Sequence, residues 1–196
     1  MYARKTGFLF CAALCAVLLA APCAAPAQSH EDTSGWKQVL RSRLPLYGDR
    51  NWIVVADSAF PEYSEPGIET IVVHEDLPTV LKYVAGAIAS SKHLRSDVYL
   101  DRELKFVDEQ DYPGVSQLRK TIHGDFAAGQ ISSIPHVDVL KKIADAGAMY
   151  RILFIKTTGR IPYSSVYIRL DCGYMTVAVR RKIDDAMHAA GAQQSK

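Results

Sequence analysis

The stretch Gly48-Asp49-Arg50-Asn51-Trp52-Ile53-Val54-Val55-Ala56-Asp57-Ser58-Ala59-Phe60-Pro61 decides how the rest of the chain is read. Ile53 to Ala56 is a short apolar run rich in β-branched residues, which predicts a strand buried on both faces. The run delivers one carboxylate, Asp57, to its C-terminal end, and a small-residue turn and Pro61 stop it. Ligand sites of open α/β sheets gather at the carboxyl ends of strands. Asp57 therefore has two readings. It caps the following turn by accepting backbone N–H bonds, or it faces a ligand.

Outward from this strand, apolar and helical patterns alternate. Trp36, Val39, Leu40 and Leu44 have helical spacing up to Pro45. Ile68 to His74 reads as a second strand. Glu75-Asp76 opens a helix, with Pro78 tolerated in its first turn, and Leu77, Val80, Leu81, Val84 and Ile88 form its apolar stripe. Asp97 to Leu100 and Glu103 to Val107 read as short strands, Val115 to Ile122 as a helix, and His123 to Ser133 as a loop. Ser133-Ile134-Pro135-His136 leads into a strong helix through Ala146, and Gly147 is its expected C-cap. Arg151 to Lys156 and Ser165 to Leu170 are predicted strands, Tyr174 to Val179 a further one, and Arg181 to Ala190 a polar last helix. Strands alternating with helices predict a single α/β domain over residues 36–180, a central sheet flanked by helices.

The N-terminal 27 residues read differently. Arg4 and Lys5, the apolar run Phe8 to Ala21 and the small residues Ala25-Pro26-Ala27 have the order of a cleavable signal peptide. The apolar run is short for a membrane span. The expectation is a periplasmic or secreted protein with no stable membrane insertion after cleavage. Residues 28–35 are polar and read as a mobile segment. Three of the four cysteines lie in the leader. Cys172 is left without an intramolecular partner; it is either buried or pairs between chains, and burial in a strand is the expectation. The charges beyond the leader nearly balance and no basic run occurs, which excludes a nucleic-acid reading.

The chain lacks a Gly-rich phosphate loop, a Gly-x-Ser-x-Gly elbow and a Cys-x-x-Cys pair, so no cofactor is expected. His74 beside Glu75 and Asp76 lacks a second histidine at ligand spacing, so no metal is expected. His136, opening the strong helix, either faces a ligand or sits on the surface. Tyr163 and Ser165 follow Gly159 and Pro162 in a tight connection. The tyrosine has a ring to lay on a sugar face and a hydroxyl to share protons, or it is a lid over the core.

Taken together, the two blocks resemble the ribose pyranase and fucose mutarotase family. The early block matches in Gly48, the strand Ile53 to Ala56, Asp57, Ser58 and Phe60-Pro61. The late block matches in Gly159, Arg160, Tyr163, Ser165, Val166 to Leu170 and Gly173, with Ile71-Val72-Val73 and Asp76 between them. The likeness covers about residues 36 to 176. It implies a monosaccharide-binding α/β protein that interconverts cyclic forms of an aldose. It also implies a homo-oligomeric ring with sites where neighbours meet. Asp57 takes the place of the family's ligand-binding aspartate and Tyr163 that of its tyrosine. Ser165 stands where the family has asparagine, and His136 matches a polar residue before the long helix. The family's catalytic histidine falls on Asp49, with Arg50 beside it as a candidate sugar contact. Histidine suits proton transfer near neutrality, whereas an aspartate is mostly ionised there. Three outcomes stay open: Asp49 acts in a site that raises its pKa, His136 or His123 supplies the proton, or the chain binds sugar without turning it over.

Overall fold

The computed structural model describes residues 35–194, with side chains described to residue 190; the leader reading lies outside them. Its centre is the strand β1 (Trp52–Ala56), buried at every position. The other strands are β2 (Ile68–Val72), β3 (Leu94–Asp101), β4 (Ile131–Ile134), β5 (Ile152–Lys156) and β6 (Val166–Cys172). They form one sheet in the order β2-β5-β1-β6-β3-β4. β1 pairs with β5 in parallel, from Trp52 opposite Ile152 to Ala56 opposite Lys156. On its other side it pairs antiparallel with β6, Val55 opposite Val166. β3 is also antiparallel to β6, and β4 is parallel to β3. β6 alone therefore runs against the other five strands of this sheet. As a result five strands end, and β6 begins, on one edge of the sheet. That edge collects the residues after Ala56, Val72, Asp101, Ile134 and Lys156 and those just before Val166.

Helices cover both faces. α1 (Gly35–Arg43), α2 (Leu77–Ala89) and α3 (Val115–Asp125) lie over one core, in which Leu40, Val80, Leu81, Val84 and Ile122 meet Ile53, Val55, Leu153, Ile155 and Ile168. α4 (His136–Gly147) covers the other, placing Val139 and Ile143 against Val54, Phe154 and Tyr167. Alternate residues of each strand thus serve opposite cores. α2 begins as its sequence predicts: the Asp76 carboxylate accepts the Thr79 N–H at 2.9 Å, and Pro78 sits in the first turn. Among the described residues no helix is long and apolar enough to cross a membrane.

Several elements differ from their expectation. The strand expected over Glu103–Val107 is a 3-10 turn, Arg102–Phe106. Its Leu104/Phe106 alternation misleads, because Leu104 is buried while Phe106 is 74% exposed. β3 instead takes eight residues upstream. Arg119 holds the turn by donating to the carbonyls of Leu104 and Val107 at 2.8 and 3.1 Å. The loop expected over His123–Ser133 contains the edge strand β4, whose central Ser132 and Ser133 are exposed and give no apolar signal. No strand forms at Tyr174–Val179; α5 (Val177–Gln194) starts there, and Tyr174, Val177 and Val179 are exposed. Cys172, expected buried, is free and only partly buried at the end of β6.

Gly147 is the last residue of α4 and Ala148 caps it. Ile68 packs closely on Gly147: an added Cβ would lie 2.8 Å from Ile68 Cδ1, so that side chain would have to shift. Gly67 faces the same junction, where an added Cβ would collide with the carbonyl oxygens of Gly147 and Tyr150. Those acceptors are main-chain atoms and cannot rotate away. Gly67→Ala is expected to destabilise the fold by about 1–3 kcal/mol, read as a lowered midpoint in urea with an unchanged slope.

Candidate functional site

The β1–β6 pairing builds the first half of the site. Because Val55 lies opposite Val166, the residue after β1 meets the residue before β6. The Ser165 hydroxyl donates to Asp57 Oδ2 at 2.8 Å, and the Asp57 N–H donates to Ser165 Oγ at 3.1 Å. Asp57 Oδ1 accepts the Ala59 N–H at 2.9 Å. Asp57 thus caps its turn with one oxygen and holds Ser165 with the other, and it remains partly accessible. Ser165 is buried, at 1% exposure.

The second half comes from β3 and α4. Asp101 ends β3 opposite Ile134 of β4, two residues before His136. His136 Nδ1 lies 3.0 Å from Asp101 Oδ2. The Tyr167 hydroxyl, on β6, donates to the same oxygen at 3.4 Å. Among the described residues Asp101 Oδ1 is buried with no hydrogen-bond partner, and His136 Nδ1, though within ion-pair distance of Oδ2, is buried without an aligned hydrogen bond. Burial raises the pKa of the Asp101 carboxyl, to about 6, against the opposing pull of the His136 contact. Burial likewise pushes the Tyr167 phenol up, and the neighbouring Asp101 and Asp57 carboxylates add to that push. Tyr167 therefore stays protonated and stands between the two acids.

Tyr163 joins the halves. It sits in the β5–β6 connection two residues before Ser165, with a left-handed φ of 58°, and it is 41% exposed. Its ring meets the His136 ring edge-on, with centroids 5.4 Å apart and planes at 81°. Asp57, Ser165, Asp101, His136 and Tyr163 therefore occupy one sheet edge. With Nδ1 beside a buried carboxylate at ion-pair distance, the opposite ring nitrogen of His136 is the one left to exchange a proton. A cavity of about 250 Å³ also opens at this edge, lined in part by Asp101, Lys105, Arg119 and His123.

Asp49 and Arg50 lie elsewhere. They precede β1, at the sheet's opposite edge, so the whole of β1, about 16 Å at about 3.3 Å per strand residue, lies between them and Asp57. Asp49 is 3.6 Å from both Arg50 Nε and Arg169 Nη2. Arg50 donates to the Tyr150 hydroxyl at 3.0 Å, and its own φ is 71°. Within one protomer these two residues do not share a pocket with Asp57, His136 and Tyr163. Asp101 was not anticipated from the sequence. Its signal was available: an acid directly after a strand, the same arrangement that drew attention to Asp57.

The raised Asp101 carboxyl has a sign for stability. Between the ordinary aspartate value of about 3.9 and about 6, the native state holds a proton that the unfolded chain releases. Stability is therefore expected to fall as pH rises through that window. Asp101→Asn removes the titration, and its stability measured by urea unfolding is expected to be flatter from pH 4 to pH 6.5.

No family model matches the sequence, and no curated protein matches it. Among solved structures, the chain is similar to Bacillus subtilis RbsD complexed with D-ribose, at 17% identity over 73% of this chain and 94% of that one, with a TM-score of 0.47. It is similar to FucU from Bifidobacterium longum, at 17% identity over 68% of this chain and 92% of that one, with a TM-score of 0.48. It is also similar to the fucose mutarotase in complex with L-fucose from Streptococcus pneumoniae, at 16% identity over 71% and 93%, with a TM-score of 0.47.

Proposed function

We propose that the carboxyl edge of the sheet binds a monosaccharide and interconverts its cyclic forms by general acid/base catalysis. The observation that carries this reading is the His136 imidazole set between the buried Asp101 carboxyl and the Tyr163 ring, on the edge that also holds Asp57 and Ser165. Opening a hemiacetal ring takes a proton from the anomeric hydroxyl and gives one to the ring oxygen; closing it reverses both. His136 takes the first proton on the ring nitrogen away from Asp101, and the Asp101 carboxylate then faces the imidazolium. Above its raised pKa, Asp101 is ionised and suited to that task. Tyr163 lies against the sugar and relays a proton through its phenol. Asp57, held by Ser165, accepts a sugar hydroxyl. The sequence resemblance adds the ring assembly. A head-to-tail contact, seating the Asp49 and Arg50 edge of one copy on the Asp57 edge of the next, would bring those two residues to the sugar. The leader adds export to the periplasm or beyond.

A second reading, sugar binding without turnover, is favoured by Asp49 standing where the resemblance places a catalytic histidine. Exchange NMR on ribose, fucose, galactose and glucose separates the two. The catalytic reading expects faster anomer exchange with the protein present, and a loss of about 10²- to 10⁴-fold in His136→Ala with sugar still bound. Binding without any acceleration leaves the binder alone standing. If no aldose binds, both readings fall.

A further inference from the structure

α4 has a helix start that its own sequence does not supply. Its N-cap is Pro135, which has no side-chain acceptor and makes no cap. The N–H groups of a helix's first turn lack intrahelical partners. That of His136 is taken by a distant carboxylate: it donates to Glu103 Oε2 at 3.0 Å and to Oε1 at 3.2 Å. Glu103 belongs to the 3-10 turn Arg102–Phe106 that follows Asp101 directly. One short segment, Asp101-Arg102-Glu103, therefore presents two carboxylates to one residue. Asp101 faces the His136 ring, and Glu103 holds the His136 main chain.

We propose that Glu103 is a positioning residue, fixing the first turn of α4 and so holding the His136 imidazole between Asp101 and Tyr163. The significance of that position for catalysis rests on the sugar reading above; the positioning itself does not. The turn is anchored before Glu103 by the pairing of Asp101 with Ile134, and after it by Arg119, through the Leu104 and Val107 carbonyls. A negative charge at the start of α4 also suits the helix dipole. Glu103 adds a second effect on the pair, since its charge helps to raise the Asp101 pKa.

The test uses the full chain at pH 8 with ¹⁵N-labelled histidine, reading the His136 tautomer from ring nitrogen shifts. The Nδ1-protonated form is expected to dominate in the parent and in Glu103→Gln, whose amide oxygen still accepts the N–H. In Glu103→Met, similar in length and uncharged with only a weak thioether acceptor, the tautomer ratio is expected to move toward that of free histidine. An unchanged ratio in a folded Glu103→Met protein overturns the proposal. If that variant does not fold, the parent decides: its His136 amide is expected to exchange with deuterium about 10- to 100-fold more slowly than an unbonded amide, as a hydrogen bond to a charged acceptor implies. Exchange at the unbonded rate overturns the proposal. Neither readout involves a sugar, so its outcome is independent of whether anomer exchange is found.

Discussion

The pairing of β6 between β1 and β3 is the constraint on which the site depends. β6 is antiparallel to both neighbours, so it enters the sheet where they leave it. The residues before β6 therefore meet the residues after β1 and near the end of β3. The mutual bonds between Asp57 and Ser165 are the direct product of this register. A shift of one residue would reverse the faces of β6, sending Tyr167 and Ile168 to the wrong cores. Both are wholly buried, so such a shift is strongly disfavoured, and the site inherits its geometry from the packing of the sheet.

The same register brings two acids to one tyrosine. Asp57 and Asp101 end strands on either side of β6, and Tyr167 of β6 feels both. Their surroundings differ. Asp57 is partly accessible and its two oxygens are bonded to Ser165 and Ala59. Asp101 is 2% exposed and holds one oxygen toward His136 and Tyr167. Desolvation then opposes its ionisation, and a cation at His136 relieves that opposition. A carboxyl and an imidazole that answer each other's charge suit proton movement better than either group alone.

The parts legible in the sequence were those carried by local pattern. Ile53 to Ala56 is apolar at every position because strands flank it on both sides and helices cover both faces. The stripe of α2 and its Asp76 cap are set within one short segment, and both are where the sequence puts them. Less legible were elements whose residues answer to distant partners. The turn Arg102–Phe106 has a strand-like alternation, yet Arg119 and the end of β3 decide its shape. β4 has two exposed serines at its centre and earns its place only through pairing with β3.

The sequence by itself determined that an α/β layer domain would form and that Asp57, Tyr163, Ser165 and His136 were worth attention, because hydrophobic period and turn chemistry are local properties. Only the tertiary structure decided which of them meet. It joined His136 to Asp101 and Glu103, residues more than thirty positions away, and it put Asp49 and Arg50 at the other end of β1. The reason is strand direction: a strand holds its two ends a fixed distance apart, and nothing in its own residues says which end its neighbours will share.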